Sequence, residues 1–223
     1  MVATWLNTAF AGVDGGIFNF VHNLAKNCGG FFTPIMKFIT MLGDGGWAFI
    51  VLGIVLLFFK KTRKAGIAVL IAIAFGYLFT NLTLKKLIAR PRPYVADEQY
   101  KAFWQFVNGV KESENSFPSG HTTTAAAAMM ALFLIYNKKW SWVFLLFAAL
   151  MGFTRIYIVV HYFTDVVAGY ISGSLAGVLA VVVKNLIYKK LDKCGDNKII
   201  SYVLNFDIIE FAKYLFSKNT KSE

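Results

Sequence analysis

Long apolar runs, broken by short charged segments, dominate this chain. Five stand out, at residues 45–59, 65–84, 119–136, 140–157 and 164–188. None alternates polar with apolar positions, so helices are expected rather than the strands of a barrel. A hydrocarbon layer of about 30 Å takes roughly 20 apolar residues as helix. The run at 45–59 is short of that unless Met41 and Leu42 extend it.

Residues 16–40 depart from the pattern. His22, Asn23, Lys26, Asn27 and Lys37 lie among Phe, Ile and Leu, too polar for a helix that faces lipid. One or two amphipathic helices lying at the interface are the favoured reading, with a sixth, imperfect span as the alternative. In the tail, Ile199, Ile200, Val203, Leu204, Ile208, Phe211 and Leu215 recur at helical spacing among lysines, which predicts a second interfacial segment. The expected fold is therefore all-α. It is a polytopic transmembrane helix bundle of five spans, or six if 16–40 crosses, with interfacial amphipathic helices at both ends. It forms one domain over 1–223, divided into an interfacial segment 1–44, a transmembrane core 45–188 and a cytoplasmic tail 189–223.

Composition agrees. The 223 residues are 57% hydrophobic, 17% aromatic and only 16% charged. A soluble domain carries about 25% charged residues. A disordered chain and a small disulfide-stapled domain are both excluded. The first Lys is Lys26, so no signal-peptide pattern is expected. Cys28 and Cys194 fall near opposite ends, on opposite membrane sides in this topology, and no disulfide is expected.

The formal charge of +11 would suggest nucleic acid in a soluble protein, but here it reads first as a topology signal. Lys60, Lys61, Arg63 and Lys64, then Lys138 and Lys139, then Lys189, Lys190 and Lys193 all fall on one side of a five-span chain. The positive-inside rule makes that side cytoplasmic in a multi-pass protein of the cell membrane. Lys85, Lys86, Arg90, Arg92 and Arg155 lie on the opposite face, against the trend, and His121, His161 and Asp165 join them there. Ionisable groups at a membrane face, drawn from three distant stretches, read as a site for an anion.

Each stretch has its own chemistry. Pro91 and Pro93 stop a helix and stiffen the chain around Arg92, although cations snorkelling to headgroups look the same. Ser119 is a natural N-cap, Gly120 lets an anion approach the free N–H groups, and His121 stands beside them to deliver a proton. The plainer reading there is a capped helix with an interfacial His. His161 and Asp165 are spaced i, i+4. If a helix begins by Tyr162, the carboxylate takes a proton from one ring nitrogen and leaves the other as a nucleophile. Two His and one Asp are also zinc ligands, but the neighbouring cations disfavour a metal.

Lys85-x6-Arg92-Pro93, then Pro118-Ser119-Gly120-His121, then Arg155-x5-His161-x3-Asp165 resembles the three-part signature of the type 2 phosphatidic acid phosphatase superfamily. The resemblance covers about residues 42–188. It implies that His161 attacks phosphorus to form a phosphohistidine, that Asp165 orients it, and that His121 protonates the leaving oxygen and then activates water. Lys85, Arg92, Ser119, Gly120 and Arg155 are implied as phosphate-binding. No cofactor and no metal are implied. Thr154 stands where the family usually has Ser, Val159 where it often has Gly, and Phe163 where it often has Pro. Arg90 is an extra cation, read as touching either a second phosphate or a headgroup.

The implied substrate is a lipid phosphate or diphosphate held in the bilayer and met at the extracytoplasmic face. Undecaprenyl diphosphate is favoured, with phosphatidylglycerophosphate or phosphatidic acid next. A lipid phosphotransferase using the same intermediate and a non-enzymatic lipid transporter are the rivals; nucleic acid is not an expected partner. Gly169, Gly173 and Gly177 form a close-packing face, either within one protomer or as a dimer seam, so the chain is expected as a monomer or homodimer. His22 and Asp44 are assigned to structure or interface, with no partner in sight.

Overall fold

The structure is a computed structural model and describes residues 2–137, 139–193 and 198–219. Lys138, Cys194 and the side chains of Ile199, Ile200, Val203 and Leu215 lie outside the described residues. Among these residues the secondary structure is entirely helical. The elements are α1 (Val2–Ala9), α2 (Ala11–Met41), a 3-10 turn (Asp44–Gly46), α3 (Trp47–Leu57), α4 (Arg63–Tyr77), a π-helical stretch (Leu78–Leu84), α5 (Lys85–Ile88), α6 (Pro93–Ala96), α7 (Glu98–Phe106), α8 (Gly120–Tyr136), α9 (Trp142–Tyr157), α10 (Phe163–Asp192), α11 (Lys198–Asn205) and α12 (Ile208–Asn219).

Helix α8 is the centre of the bundle, with α4, α9 and α10 packed around it. Small residues allow that position: Ala125, Ala126, Ala127, Ala128 and Ala131 are all buried. The glycine face of α10 meets α8 of the same chain. A Cβ on Gly169 would lie 2.7 Å from Ser119 O, one on Gly173 2.8 Å from Ala126 Cβ, and one on Gly177 2.7 Å from Ala127 O. Of the two uses expected for this face, packing within one protomer is the one seen. Close approach of backbones is what small residues achieve where lipid supplies no hydrophobic drive.

The outer surface is apolar. Ile171, Leu175 and Leu186 of α10 are 56%, 58% and 61% exposed, and Val51, Ile54 and Val55 of α3 also face outward. By length and composition, the runs Arg63–Ala96 and Phe163–Asp192 are able to cross a membrane, and α2 with Asp44–Leu57 passes as one pair bent by 46°. Helices α8 and α9 are shorter apolar helices. The first expected run yields only the 11 residues of α3, because the Gly43–Gly46 turn delays its start and the Lys60–Lys61 turn ends it.

Residues 16–40 form part of one long helix rather than two. Helix α2 is bent at Cys28 (φ −132°, ψ 16°). Its first half packs on α7: Phe18 lies 4.6 Å from Tyr100 and His22 stacks on Phe103 at 3.7 Å between centroids. The ring of Phe103 is thus the partner that the sequence did not disclose for His22. Cys28 is exposed as a free thiol. The tail folds as two short helices, and the turn before α12 is pinned to the α3–α4 connection. The Asp207 carboxylate accepts from Lys60 N at 2.9 Å, and Arg63 donates to the carbonyls of Leu204 and Phe206.

Filling the α8–α10 contact should be costly. Gly173→Ala is expected to lower stability by about 1–3 kcal/mol through overpacking. Gly16→Ala, on an exposed stretch of α2 where a Cβ meets nothing within 4 Å, should be neutral or slightly stabilising. Unfolding of the two variants in detergent measures the difference.

Candidate active site

The site is assembled at one end of the bundle, where α8 and α10 begin and the π-helical stretch ends. A π-turn widens the helix, and this one carries Asn81 and Lys85 to the wall of a cavity of about 490 Å³. Lys85, Arg92, Gly120, His121 and His161 line that cavity together. Ser119 caps α8 as expected: its Oγ accepts from Thr122 N at 3.4 Å and Thr122 Oγ1 at 2.9 Å. Its own N–H donates to Asp165 O at 3.1 Å, which ties the starts of α8 and α10. Ser119 is buried behind the cavity wall, whereas Gly120 is on it. The first N–H groups of α8 precede any intrahelical partner and give that wall positive character.

His161 lies in the tight turn between α9 and α10. Val159, two residues earlier, has φ +58°, the left-handed region that favours glycine. This β-branched residue holds the turn that Gly often makes in the family, and its burial at 3% exposure offsets the strain. Tyr162 caps α10, so the helix starts at Phe163 and His161 stands just outside it. That changes the expected link to Asp165. His161 Nδ1 is 3.6 Å from Asp165 Oδ2, too long for a hydrogen bond, and Ser116 stands between them. Ser116 Oγ donates to Asp165 Oδ2 at 2.5 Å and lies 3.4 Å from His161 Nδ1.

The tautomer follows from Arg92. Its Nη1 is 3.3 Å from His161 Nε2 and can only donate, so Nε2 is bare and Nδ1 carries the proton. Burial, then the charges of Arg92, Arg155 and Lys85, hold the His161 imidazole well below its ordinary value of 6.5. Asp165 does not offset them, because its carboxylate is engaged elsewhere.

That engagement is with Arg90, and it corrects the reading of this residue as a headgroup or phosphate contact. Arg90 is fully buried. It donates to Asp165 Oδ1 at 2.6 Å, Asp14 Oδ2 at 2.9 Å, Thr164 Oγ1 at 2.7 Å and Asn7 Oδ1 at 2.7 Å, and lies over the Tyr162 ring at 3.7 Å. A buried cation is tolerated when paired and hydrogen-bonded in this way.

The remaining cations are held by a loop. Lys85 Nζ pairs with Glu114, and Arg155 Nη2 with Glu112. Arg92 donates to Glu114 O at 2.8 Å and Val160 O at 3.0 Å, with Glu112 at 3.8 Å. Arg155 lies beside rather than in the main cavity and lines a smaller one of about 240 Å³ with Thr40, Asp44 and Glu112. Its Nε is buried and finds no partner among the described residues. His121 Nε2 is 2.8 Å from Asp44 Oδ1, so Asp44 has a partner after all. Among the described residues, no group of three or more His, Cys, Asp or Glu side chains is arranged to hold a metal ion.

Sequence reasoning missed Ser116, Asp14, Asp44, Glu112 and Glu114. Asp14 and Asp44 reach the site from the polar N-terminal segment across 76 and 77 residues of chain, and no local spacing reveals such pairs.

An all-helical, apolar-surfaced bundle with two histidines, a buried carboxylate and clustered cations at one end defines a membrane-embedded protein of phosphate-handling type. The chain belongs to the PAP2 superfamily, whose family model matches residues 65–189. It is 32% identical over 180 residues to the undecaprenyl-diphosphatase BcrC of Bacillus subtilis, covering 79% of this chain and 83% of that one. It is 29% identical over 157 residues to an undecaprenyl-diphosphatase of Sulfolobus acidocaldarius, covering 68% and 70%. Among solved structures, a transmembrane PAP2 type phosphatidylglycerolphosphate phosphatase from Bacillus subtilis aligns with a TM-score of 0.64 at 26% identity, covering 83% of this chain and 92% of that one.

Two outcomes are expected. Ring nitrogen NMR of the labelled protein in micelles should find His161 neutral at pH 6.5, protonated on Nδ1, and titrating only well below that pH. Because the unfolded chain takes this proton near 6.5, His161 removes stability as pH falls below that value. Arg90→Met should cost about 3–5 kcal/mol in unfolding experiments, since it leaves two buried carboxylates without their cation.

Proposed function

We propose that the chain is a metal-independent lipid phosphatase working through a phosphohistidine on His161. The observation that carries this reading is the bare Nε2 of His161, 3.3 Å from Arg92 and on the wall of the cavity shared with Lys85, Gly120 and His121. Nε2 attacks phosphorus, and the ester or anhydride bond breaks with its electron pair passing to the leaving oxygen. His121 gives that oxygen a proton. His121 then takes a proton from water, whose oxygen attacks the phosphohistidine and returns the P–N electron pair to Nε2. Lys85, Arg92 and Arg155, with the Gly120 N–H, hold the phosphoryl oxygens and offset their charge in the transition state, and Ser119 sets the helix start that presents that N–H. The unpartnered Nε of Arg155 supports its role there. Asp165, through Ser116, keeps the proton on Nδ1.

The substrate we favour is undecaprenyl diphosphate, because relatives carrying that name align over most of their length. Phosphatidylglycerophosphate is next, from the structural neighbour. The topology we favour has five spans and an extracytoplasmic site. The α3–α4 connection with Arg63, the tail and the Trp140–Lys139 pair lie at helix ends opposite the site, as basic and aromatic anchors of a cytoplasmic interface would. The stacking of α2 on α7 supports an interfacial N-terminal segment and a single domain.

Purified protein should release phosphate from a panel of undecaprenyl diphosphate, undecaprenyl phosphate, phosphatidylglycerophosphate and phosphatidic acid, with chelator present. His161→Ala should abolish release, and parental release from that variant would sink the proposal. His121→Ala, given p-nitrophenyl phosphate, should accumulate an acid-labile phosphoprotein, because a good leaving group needs no acid while the second step still needs a base.

A further inference from the structure

The sequence Gly43-Asp44-Gly45-Gly46 forms the sharp turn from α2 into α3, and it is shaped around His121. Asp44 Oδ1 lies 2.8 Å from His121 Nε2. A Cβ on Gly43 would sit 2.5 Å from His121 Cδ2, so only glycine lets the turn come this close. Gly45 and Gly46 take φ of +57° and +71°, and a Cβ on Gly46 would press on Thr124 Cγ2 at 3.0 Å, one turn further along α8. Three glycines thus bring one carboxylate to one imidazole. Asp44 is otherwise open, with its side chain 61% exposed, and makes no cap to the turn it begins. Burial therefore does not explain its position.

We propose that Asp44 is a positioning residue for His121 in phosphoryl transfer, an inference that rests on the reaction proposed above. The carboxylate accepts the Nε2–H of His121. Neutral His121 is thereby held with Nδ1 bare, and Nδ1 is its working nitrogen. In the first step, protonated His121 passes its Nδ1 proton to the leaving oxygen as the bond to phosphorus breaks. In the second, Nδ1 takes a proton from the water that attacks the phosphohistidine. In both steps the adjacent carboxylate offsets part of the repulsion that Arg155, Lys85 and Arg92 exert on the imidazolium. The consequence is a dependence on leaving group. An alkoxide needs that proton as it departs, whereas an aryloxide of low basicity does not.

The test compares Asp44→Asn with the parent, full-length in micelles, on p-nitrophenyl phosphate and on the alkyl monophosphate of the panel that the parent turns over fastest. kcat/KM reports the first step only. It should fall by about 10²-fold for the alkyl ester and by less than about tenfold for the aryl ester, whereas kcat should fall for both because the second step is shared. Equal losses of kcat/KM on the two substrates, or no loss on the alkyl ester, would overturn the inference. A second measurement does not depend on the variant folding. Ring nitrogen NMR of the parent should find neutral His121 protonated on Nε2, and an Nδ1–H tautomer would overturn the proposal. His161→Ala run in parallel separates the two ideas: activity surviving there removes the phosphohistidine itself, whereas parental behaviour of Asp44→Asn removes only its positioning residue.

Discussion

The arrangement of this protein turns on one buried guanidinium. Arg90 sits at full burial between Asp14 from α2 and Asp165 from α10, with Asn7 of α1 and Thr164 completing its acceptors. Taking such a charge from water costs several kcal/mol unless it is paired on all sides. The chain meets that cost by bringing four separate stretches to one point. The N-terminal helices are thereby fixed over the end of the bundle, and the segment that carries Arg92 is fixed beside α10. One oxygen of Asp165 is spent on Arg90. The other is left for Ser116 and the backbone N–H of Tyr162. The orientation of His161 is therefore an outcome of the same pairing that closes the fold.

The cations beyond Arg90 follow a different logic. Lys85, Arg92 and Arg155 are low in exposure, yet their counter-charges come from Glu112 and Glu114 of a loop, with side chains 26% and 54% exposed. A phosphate entering the cavity, as proposed, would compete with these carboxylates for the same donors. Arg90 is tied to buried acids on rigid helices and has no freedom to exchange. Cations clustered at one end of the bundle thus divide into one held by buried acids and three paired with a more exposed loop, and burial of the partner is what separates them.

Much of this was legible in the sequence where the signal was local. Uninterrupted apolar runs marked the main helices, Ser119 before Gly120 marked the start of α8, and glycines four residues apart marked a close-packing face on α10, though not its partner. Signals failed where the partner was distant. Arg90 looked like a surface cation because Asp14 lies in a segment whose polar residues suggested only an interface. His161 and Asp165 were expected to touch as helix neighbours. The helix instead begins two residues after His161, and Ser116 fills the gap from another loop. Val159 is the reverse case. It stands where the family often has Gly, and burial among apolar neighbours holds a backbone shape that glycine would adopt freely.

The two histidines share one set of neighbouring cations and differ in the carboxylate that each one faces. Behind His161 is a carboxylate with no exposure, already neutralised by Arg90 and reached only through a hydroxyl. Such a partner orients the ring without drawing a second proton onto it, and three nearby cations discourage that proton further. A nucleophile that must keep its lone pair benefits from both effects. Facing His121 is Asp44, largely open to solvent and in direct hydrogen-bond contact. That contact takes up Nε2 and fixes the ring, while Arg155, Lys85 and Arg92 bear on His121 as they do on His161. The same pair of residue types, His with Asp, is thus joined in two ways: through a hydroxyl to a buried carboxylate paired with Arg90 at His161, and by direct contact with a largely exposed carboxylate at His121.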